Sequence, residues 1–150
     1  MSFFFQPEQI SLEAINERNK NTMCEWLGID FCEIGEDFLV AKMPVDHRTI
    51  QPLGIVNGGA FCALAETVGS MAANLCLDRT KFVALGLDIN ANHIKGANQG
   101  WVFGTARAFH IGKTTHVWEI KISNHLQQLC CICRLTMAVI PIPNNVKSTA

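Results

Sequence analysis

One carboxylate stands in an apolar run. From Gly58 to Leu77 the chain reads GGAFCALAETVGSMAANLCL, and Glu66 is its only charged side chain. The spacing predicts a helix over about 59–76 that is apolar on nearly all sides, which is the pattern of a buried helix. A carboxylate there is costly unless it is paired or protonated, and desolvation raises its pKa. Glu66 is therefore either satisfied by a polar group of the core or kept for acid–base or nucleophilic chemistry. Ser70, one turn on, is placed to hold the carboxylate or a water.

The entrance to this helix is the second feature. Asn57-Gly58-Gly59 puts a favourable cap residue before two glycines, which let another molecule approach the backbone closely. The first N–H groups of a helix lack helical partners, and the dipole there favours negative charge. Such a terminus either is a plain cap with glycines for packing or serves to hold a developing oxyanion. Glu66 follows Gly59 by seven residues, on the same helix face but roughly 10 Å along the axis. That is too far for both to act on one carbon. A second copy packed antiparallel would bring Glu66 of one chain to the Gly58-Gly59 entrance of the other, so a shared site at a two-fold interface is expected.

The elements that must position these groups are legible from periodicity. Residues 8–26 mix charge with spaced apolar positions and predict one or two short amphipathic helices. Residues 29–34 and 37–44 read as strands. A turn-rich stretch from Asp46 to Leu53 leads to the helix. Four long strands follow, over 82–94, 101–111, 114–123 and 129–140. In the first of them, alternation places Val83, Leu85, Leu87, Ile89 and Ala91 on one face and Ala84, Gly86, Asp88, Asn90 and Asn92 on the other. Residues 141–150 read as a frayed tail. Short turns between strands imply antiparallel pairing. The fold class is α+β, one domain over 1–150, with a long central helix wrapped by a curved antiparallel sheet. One sheet covers one side of such a helix, which again suggests a dimer.

Composition narrows the partners. The chain has 150 residues, 49% apolar and 17% charged, with a net charge of −1. That is enough for a core, and without a basic stripe no nucleic-acid partner is expected. No run of about 18 apolar residues occurs, so no membrane span is expected, and MSFFFQPEQI lacks the pattern of a secretory signal. The seven cysteines read as small buried hydrophobes of a reducing, cytoplasmic setting. Cys130 and Cys133 are three apart on a strand and point to opposite faces, so no metal is expected there. Trp101, Phe103 and Trp118 read as core or dimer packing. Arg134, in an apolar strand, is expected to pair with Glu119 or Asp88.

Three separated stretches carry a family resemblance. VDHRTIQPLGIVNGGAFCALAETVGSMAANLCL, then VALGLDINANHIKGANQGWVFGTARAFHIGKTTHVWEIKI, then LCCICRLTMAVI agree in order and spacing with the hotdog-fold acyl-CoA thioesterases. The branch they resemble is PaaI-like and includes bacterial 1,4-dihydroxy-2-naphthoyl-CoA thioesterases. The resemblance covers about residues 25–140. It implies a hotdog fold, a dimer or dimer of dimers, and hydrolysis of an aromatic or medium-chain acyl-CoA without metal or other cofactor. In that resemblance Glu66 stands as general base or nucleophile, and Gln51 positions the thioester or water. Gly58 offers the backbone N–H that polarises the carbonyl, and Ser70 sits one turn below the carboxylate. Asn92, His93 and Lys95, with Gly112 and Lys113, would meet the CoA nucleotide and its phosphates. Phe61, Leu64, Val68 and Met71 would line or back an acyl pocket.

One departure stands out. Where the family carries His before Gly-Gly, this chain has Asn57, which donates a hydrogen bond but cannot titrate. A hydratase of 3-hydroxyacyl thioesters would need that missing His. An acyl-CoA-binding hotdog protein with weak or no catalysis is the alternative that Asn57 keeps open.

Overall fold

Side-chain caps start each α-helix. Ser11 Oγ accepts the N–H of Ala14 to open α1 (Leu12–Glu17), and Thr22 Oγ1 accepts the N–H of Cys24 to open α2 (Met23–Leu27). Gly28, at φ 68°, ends α2 in the left-handed region that suits glycine. The computed structural model describes residues 3–142. After α2 come β1 (Asp30–Ile34) and β2 (Phe38–Pro44). Asn57 Oδ1 then accepts the N–H of Gly59 at 2.7 Å and opens α3 (Gly58–Leu75). The chain finishes with β3 (Phe82–His93), β4 (Trp101–Ile111), β5 (Thr115–Asn124) and β6 (Leu129–Pro141).

The strands form one antiparallel sheet in the order β1-β2-β4-β5-β6-β3. β3 therefore lies on the far edge beside β6. The connection 94–100 returns the chain to β4 in the middle, along the end of the sheet where α3 begins. Hydrogen bonds from Val56 N–H to Ala97 and from Ile94 and Lys95 N–H to Cys130 tie that connection to the helix entrance and to β6.

The helix buries one face against the sheet. Leu64, Ala65, Val68, Ala72 and Ala73 are fully buried, and they belong to one cluster with Met43, Val102, Trp118, Ile120, Ile122, Leu135 and Met137. The approach is close at Gly69, where an added Cβ would lie 2.6 Å from Leu135 Cδ2. The opposite stripe of α3, including Cys62, Ala63, Glu66, Ser70 and Asn74, is half-exposed rather than buried. Among the described residues the helix is thus covered on one side, and its uncovered stripe carries the polar side chains of Glu66, Ser70 and Asn74. A helix on a six-stranded antiparallel sheet is the α+β arrangement read from the sequence. Residues 143–150, most of the expected tail, lie outside the described residues.

Two expectations are corrected. A bulge between Gly86 and Asp88 breaks the alternation of β3. Ala84 is buried before it and Leu85 and Leu87 are exposed, while Ile89 and Ala91 pack against the core after it. The extra residue at Leu87 exchanges the two faces, so the five apolar residues grouped by parity do not share one. Among the described residues Arg134 forms no ion pair; Glu119, its cross-strand neighbour, is bridged by Lys121 at 3.0 Å. Trp118 is buried as expected, whereas Trp101 is 38% exposed, with Lys42 Nζ 4.6 Å from its ring centroid.

Candidate active site

Glu66 projects from the half-exposed stripe of α3 toward the edge strand. Ser70 Oγ donates to Glu66 Oε1 at 3.2 Å, as the one-turn spacing requires. The carboxylate lies over the backbone of β3 at Gly86, where an added Cβ would come within 2.3 Å of Oε1. The sequence reading missed Gly86; its signal was a glycine inside an alternating strand, which marks a bulge or a close approach. Asn74, also missed, fixes this geometry from the next turn. It donates to the carbonyls of Ser70 (2.9 Å) and Ala84 (3.0 Å), and its Oδ1 accepts the N–H of Ala84 at 2.9 Å. Helix and edge strand are thereby held in register on either side of Glu66.

The helix entrance offers a different chemistry. Asn57 Oδ1 is committed to the Gly59 N–H, and the N–H groups of Ala60 and Phe61 go to the Asn57 carbonyl. The N–H of Gly58 has no hydrogen-bond partner among the described residues. An unpaired N–H at the positive end of an 18-residue helix is a natural donor to an oxyanion. Gln51 sits in the turn that precedes this entrance. Its backbone N–H donates to Ile55 and its carbonyl accepts from Gly54, while Ile50 bridges Val56. That turn begins at Asp46, whose carboxylate accepts from Arg48 Nε and Nη2 and from the Arg48 backbone N–H. The Arg48 side chain holds the Asp46 carboxyl down at about 2.

Strand register sorts the remaining candidates. His93 pairs with Cys131 at the end of the sheet where α3 starts. Its ring stacks on Phe61 (centroids 5.9 Å, 26° between planes), and an added Cβ on Gly58 would lie 3.0 Å from its Nε2. The bulge turns His93 toward the helix side and Asn92 to the outer side, and both side chains are exposed. Lys95 is exposed in the following connection, beside a cavity of about 260 Å³ that it lines with Ile55, Asn98 and His125. Gly112 and Lys113 lie in the β4–β5 turn, level with Thr115 and Ala138, at the opposite end of the sheet. One chain therefore does not bring them to Asn92, His93 and Lys95. Phe61, Leu64 and Val68 are buried against the sheet, and Met71 is half-exposed.

Cys131 is a further residue that the sequence reading left among the core hydrophobes. Its Sγ lies 3.5 Å from His93 Nδ1 and 3.6 Å from Cys133 Sγ. Burial pushes the thiols of Cys131 and Cys133 up, so both stay protonated at neutral pH. Cys76 is pushed up to about 12 by burial alone. Among the described residues no group of three or more His, Cys, Asp or Glu side chains is placed to hold a metal ion, and no helix is long and apolar enough to cross a membrane.

The fold agrees with known proteins. The model of the thioesterase superfamily matches residues 53–131, more than half of the chain. A 1,4-dihydroxy-2-naphthoyl-CoA hydrolase of Escherichia coli is 45% identical over 132 residues, which are 88% of this chain and 96% of the relative. A proofreading thioesterase of Cronobacter turicensis, EntH, is 43% identical over 130 residues, 87% of this chain and 94% of that one. The crystal structure of a mutant of the thioesterase PA1618 from Pseudomonas aeruginosa superposes with a TM-score of 0.91 at 45% identity, covering 94% of this chain and all of that one. The chain belongs to the thioesterase superfamily. It is a hotdog-fold enzyme and a thioester hydrolase.

Proposed function

We propose that this enzyme hydrolyses an aromatic or medium-chain acyl-CoA to the free acid and CoA, at a site shared by two copies of the chain. The observation that carries the reading is a separation. Glu66 stands open on α3, held by one hydroxyl, and the Gly58 N–H stands open at the start of the same helix, about 12 Å away along the axis. Each is half of a hydrolytic site. Two helices packed antiparallel would bring the halves together.

In the first route, Glu66 takes a proton from water and the hydroxide adds to the thioester carbon. The Gly58 N–H holds the oxyanion. Collapse expels the CoA sulfur, which recovers the proton from Glu66. In the second route, the Glu66 carboxylate itself attacks, CoA leaves as the thiolate, and water cleaves the mixed anhydride, restoring the carboxylate and releasing the proton that the thiolate takes up. Gln51 orients the thioester or the water in either case. Lys95 and Lys113 supply point charges for the CoA phosphates. Since they lie at opposite ends of one chain's sheet, contact of both with one CoA requires two chains.

The dimer reading is supported by β3. It is an edge strand, and Phe82, Leu85 and Leu87 on it are 39%, 51% and 66% exposed. An apolar edge is a surface that a second strand covers.

The test is thioester loss followed by direct absorbance, with aryl-, phenylacetyl- and medium-chain acyl-CoAs, for wild type, Glu66→Gln and Asn57→His. Turnover by the wild type that Glu66→Gln abolishes is expected. A second reading, an acyl-CoA binder with little hydrolysis, is favoured by the commitment of Asn57 Oδ1 to the helix cap. It would be established by tight acyl-CoA binding without wild-type turnover, and by activity that appears only in Asn57→His.

A further inference from the structure

We propose that His93 is a second oxyanion donor of this site, acting through its Nε2–H beside the Gly58 N–H, and that Cys131 holds it in that tautomer. This rests on the hydrolase reading above and assigns the thioester end of the substrate, rather than the CoA nucleotide, to His93.

Place comes first. His93 reaches the helix entrance because the residue inserted at Leu87 shifts the parity of β3, so that Ile89, Ala91 and His93 follow Ala84 and Gly86 on the helix side. Its Nε2 edge lies 3.0 Å from where a Cβ on Gly58 would be, so the ring sits close against the glycine backbone. The open N–H of Gly58 and the imidazole edge therefore flank one small space at the positive end of α3. Asn57, in the position before Gly58, has its Oδ1 turned to the Gly59 N–H at 2.7 Å. The side chain that leads into the helix is thus spent on the cap, while the imidazole comes from β3.

Orientation comes next. The stack on Phe61 at 26° fixes the plane of the ring. Cys131 Sγ lies 3.5 Å from Nδ1, within hydrogen-bond reach of it. A thiol is a weak donor and sulfur a poor acceptor, whereas a bare imidazole nitrogen is a good acceptor. The favoured arrangement is S–H donating to Nδ1, and a neutral imidazole then carries its one proton on Nε2. Cys133, 3.6 Å behind, can donate its own S–H to the Cys131 sulfur, which completes a short relay of thiols with no covalent step. Burial, the main cause of the raised thiol pKa values, keeps both protons in place.

The test combines spectroscopy with kinetics. Long-range proton–nitrogen NMR of the ¹⁵N-labelled full chain, with His93 assigned by its loss in His93→Gln, reads the tautomer without any substrate. Nδ1 should resonate as an unprotonated nitrogen and Nε2 as a protonated one, and Cys131→Val should move the Nδ1 signal. In the acyl-CoA assay, His93→Ala should lower kcat by about 10²–10³-fold with little change in KM, as for loss of one oxyanion donor. His93→Gln, whose amide nitrogen falls where Nε2 was, should recover most of that loss, and His93→Asn should not. A proton on Nδ1 overturns the inference, as does His93→Ala raising KM with kcat intact, which is the signature of a contact to CoA alone. Were the wild type to hydrolyse no thioester, the hydrolase reading would fall, and the NMR result would still decide the tautomer by itself.

Discussion

Replacing Gly86 with Ala should silence the enzyme without loosening the fold. The added Cβ would lie 2.3 Å from Glu66 Oε1, 3.3 Å from Cδ and 3.7 Å from Oε2. Ordinary contact begins near 3.4 Å, so the near oxygen must retreat by about 1 Å, and a misplacement of that size can cost about 10²-fold in rate. The 3.2 Å bond from Ser70 is lost in the same movement. The backbone has no objection: Gly86 is not among the glycines with positive φ, and removing a glycine from a strand interior is worth about 0.5–1 kcal/mol in favour of the folded state. The atom displaced is the far end of a flexible side chain, so the core stays as it was. The expected result is kcat down by about 10²-fold with Tm unchanged or slightly raised. Gly69→Ala provides the contrast. There the new Cβ meets Leu135 Cδ2 at 2.6 Å and Ile120 Cδ1 at 3.2 Å, and overpacking of a core costs about 1–3 kcal/mol. Its Tm should fall while kcat per folded molecule holds. Wild-type kcat in Gly86→Ala, or a loss that only follows the folded fraction, would refute the placement of Glu66 at the chemistry.

Three further outcomes are expected. His116 is fully buried with neither ring nitrogen in a bond that meets hydrogen-bond geometry. Burial holds its pKa below the ordinary 6.5, opposed by the Gly112 backbone. The unfolded chain then binds the proton more readily, so this contribution is complete above about pH 6.5 and is lost as pH falls below it. Thermal melts from pH 7.5 to 5.5 should show that decline, and His116→Phe should flatten it. Asn74→Ala removes two hydrogen bonds that tie α3 to the Ala84 backbone of β3 and one to the Ser70 carbonyl within the helix and should cost about 1–3 kcal/mol in urea unfolding. Leu87→Glu puts a charge on the exposed edge of β3; sedimentation should show a smaller species than wild type, with activity lost in step if the site is shared.

Different parts of this molecule were legible at different distances. The six strands and α3 could be read from local signals, because period 2, period 3.6 and a capping Asn are properties of short windows. Glu66, Ser70 and the glycine entrance were legible for the same reason, since spacing along one helix fixes who shares its face. Gly86 and Asn74 were not. Their roles depend on which strand lies beside α3, and that strand, β3, is reached by a connection that leaves it at the sheet edge rather than beside β4. The surroundings of Arg134 were misjudged because a cross-strand neighbour is not yet a partner: Lys121, on the same strand as Glu119, reaches that carboxylate first.

His93 marks the boundary. The sequence alone determined that a carboxylate helix with a glycine entrance would pack on an antiparallel sheet, and that the chain resembles thioester hydrolases. It placed His93 in a motif toward the CoA nucleotide and gave it no face of β3. Only the tertiary structure decided that face, because one residue at Leu87 is squeezed out of register against β6. A period-2 pattern has no memory across a bulge. A single inserted residue turned the imidazole from the outer surface to the start of α3, where its ring meets Phe61, Cys131 and the open backbone of Gly58.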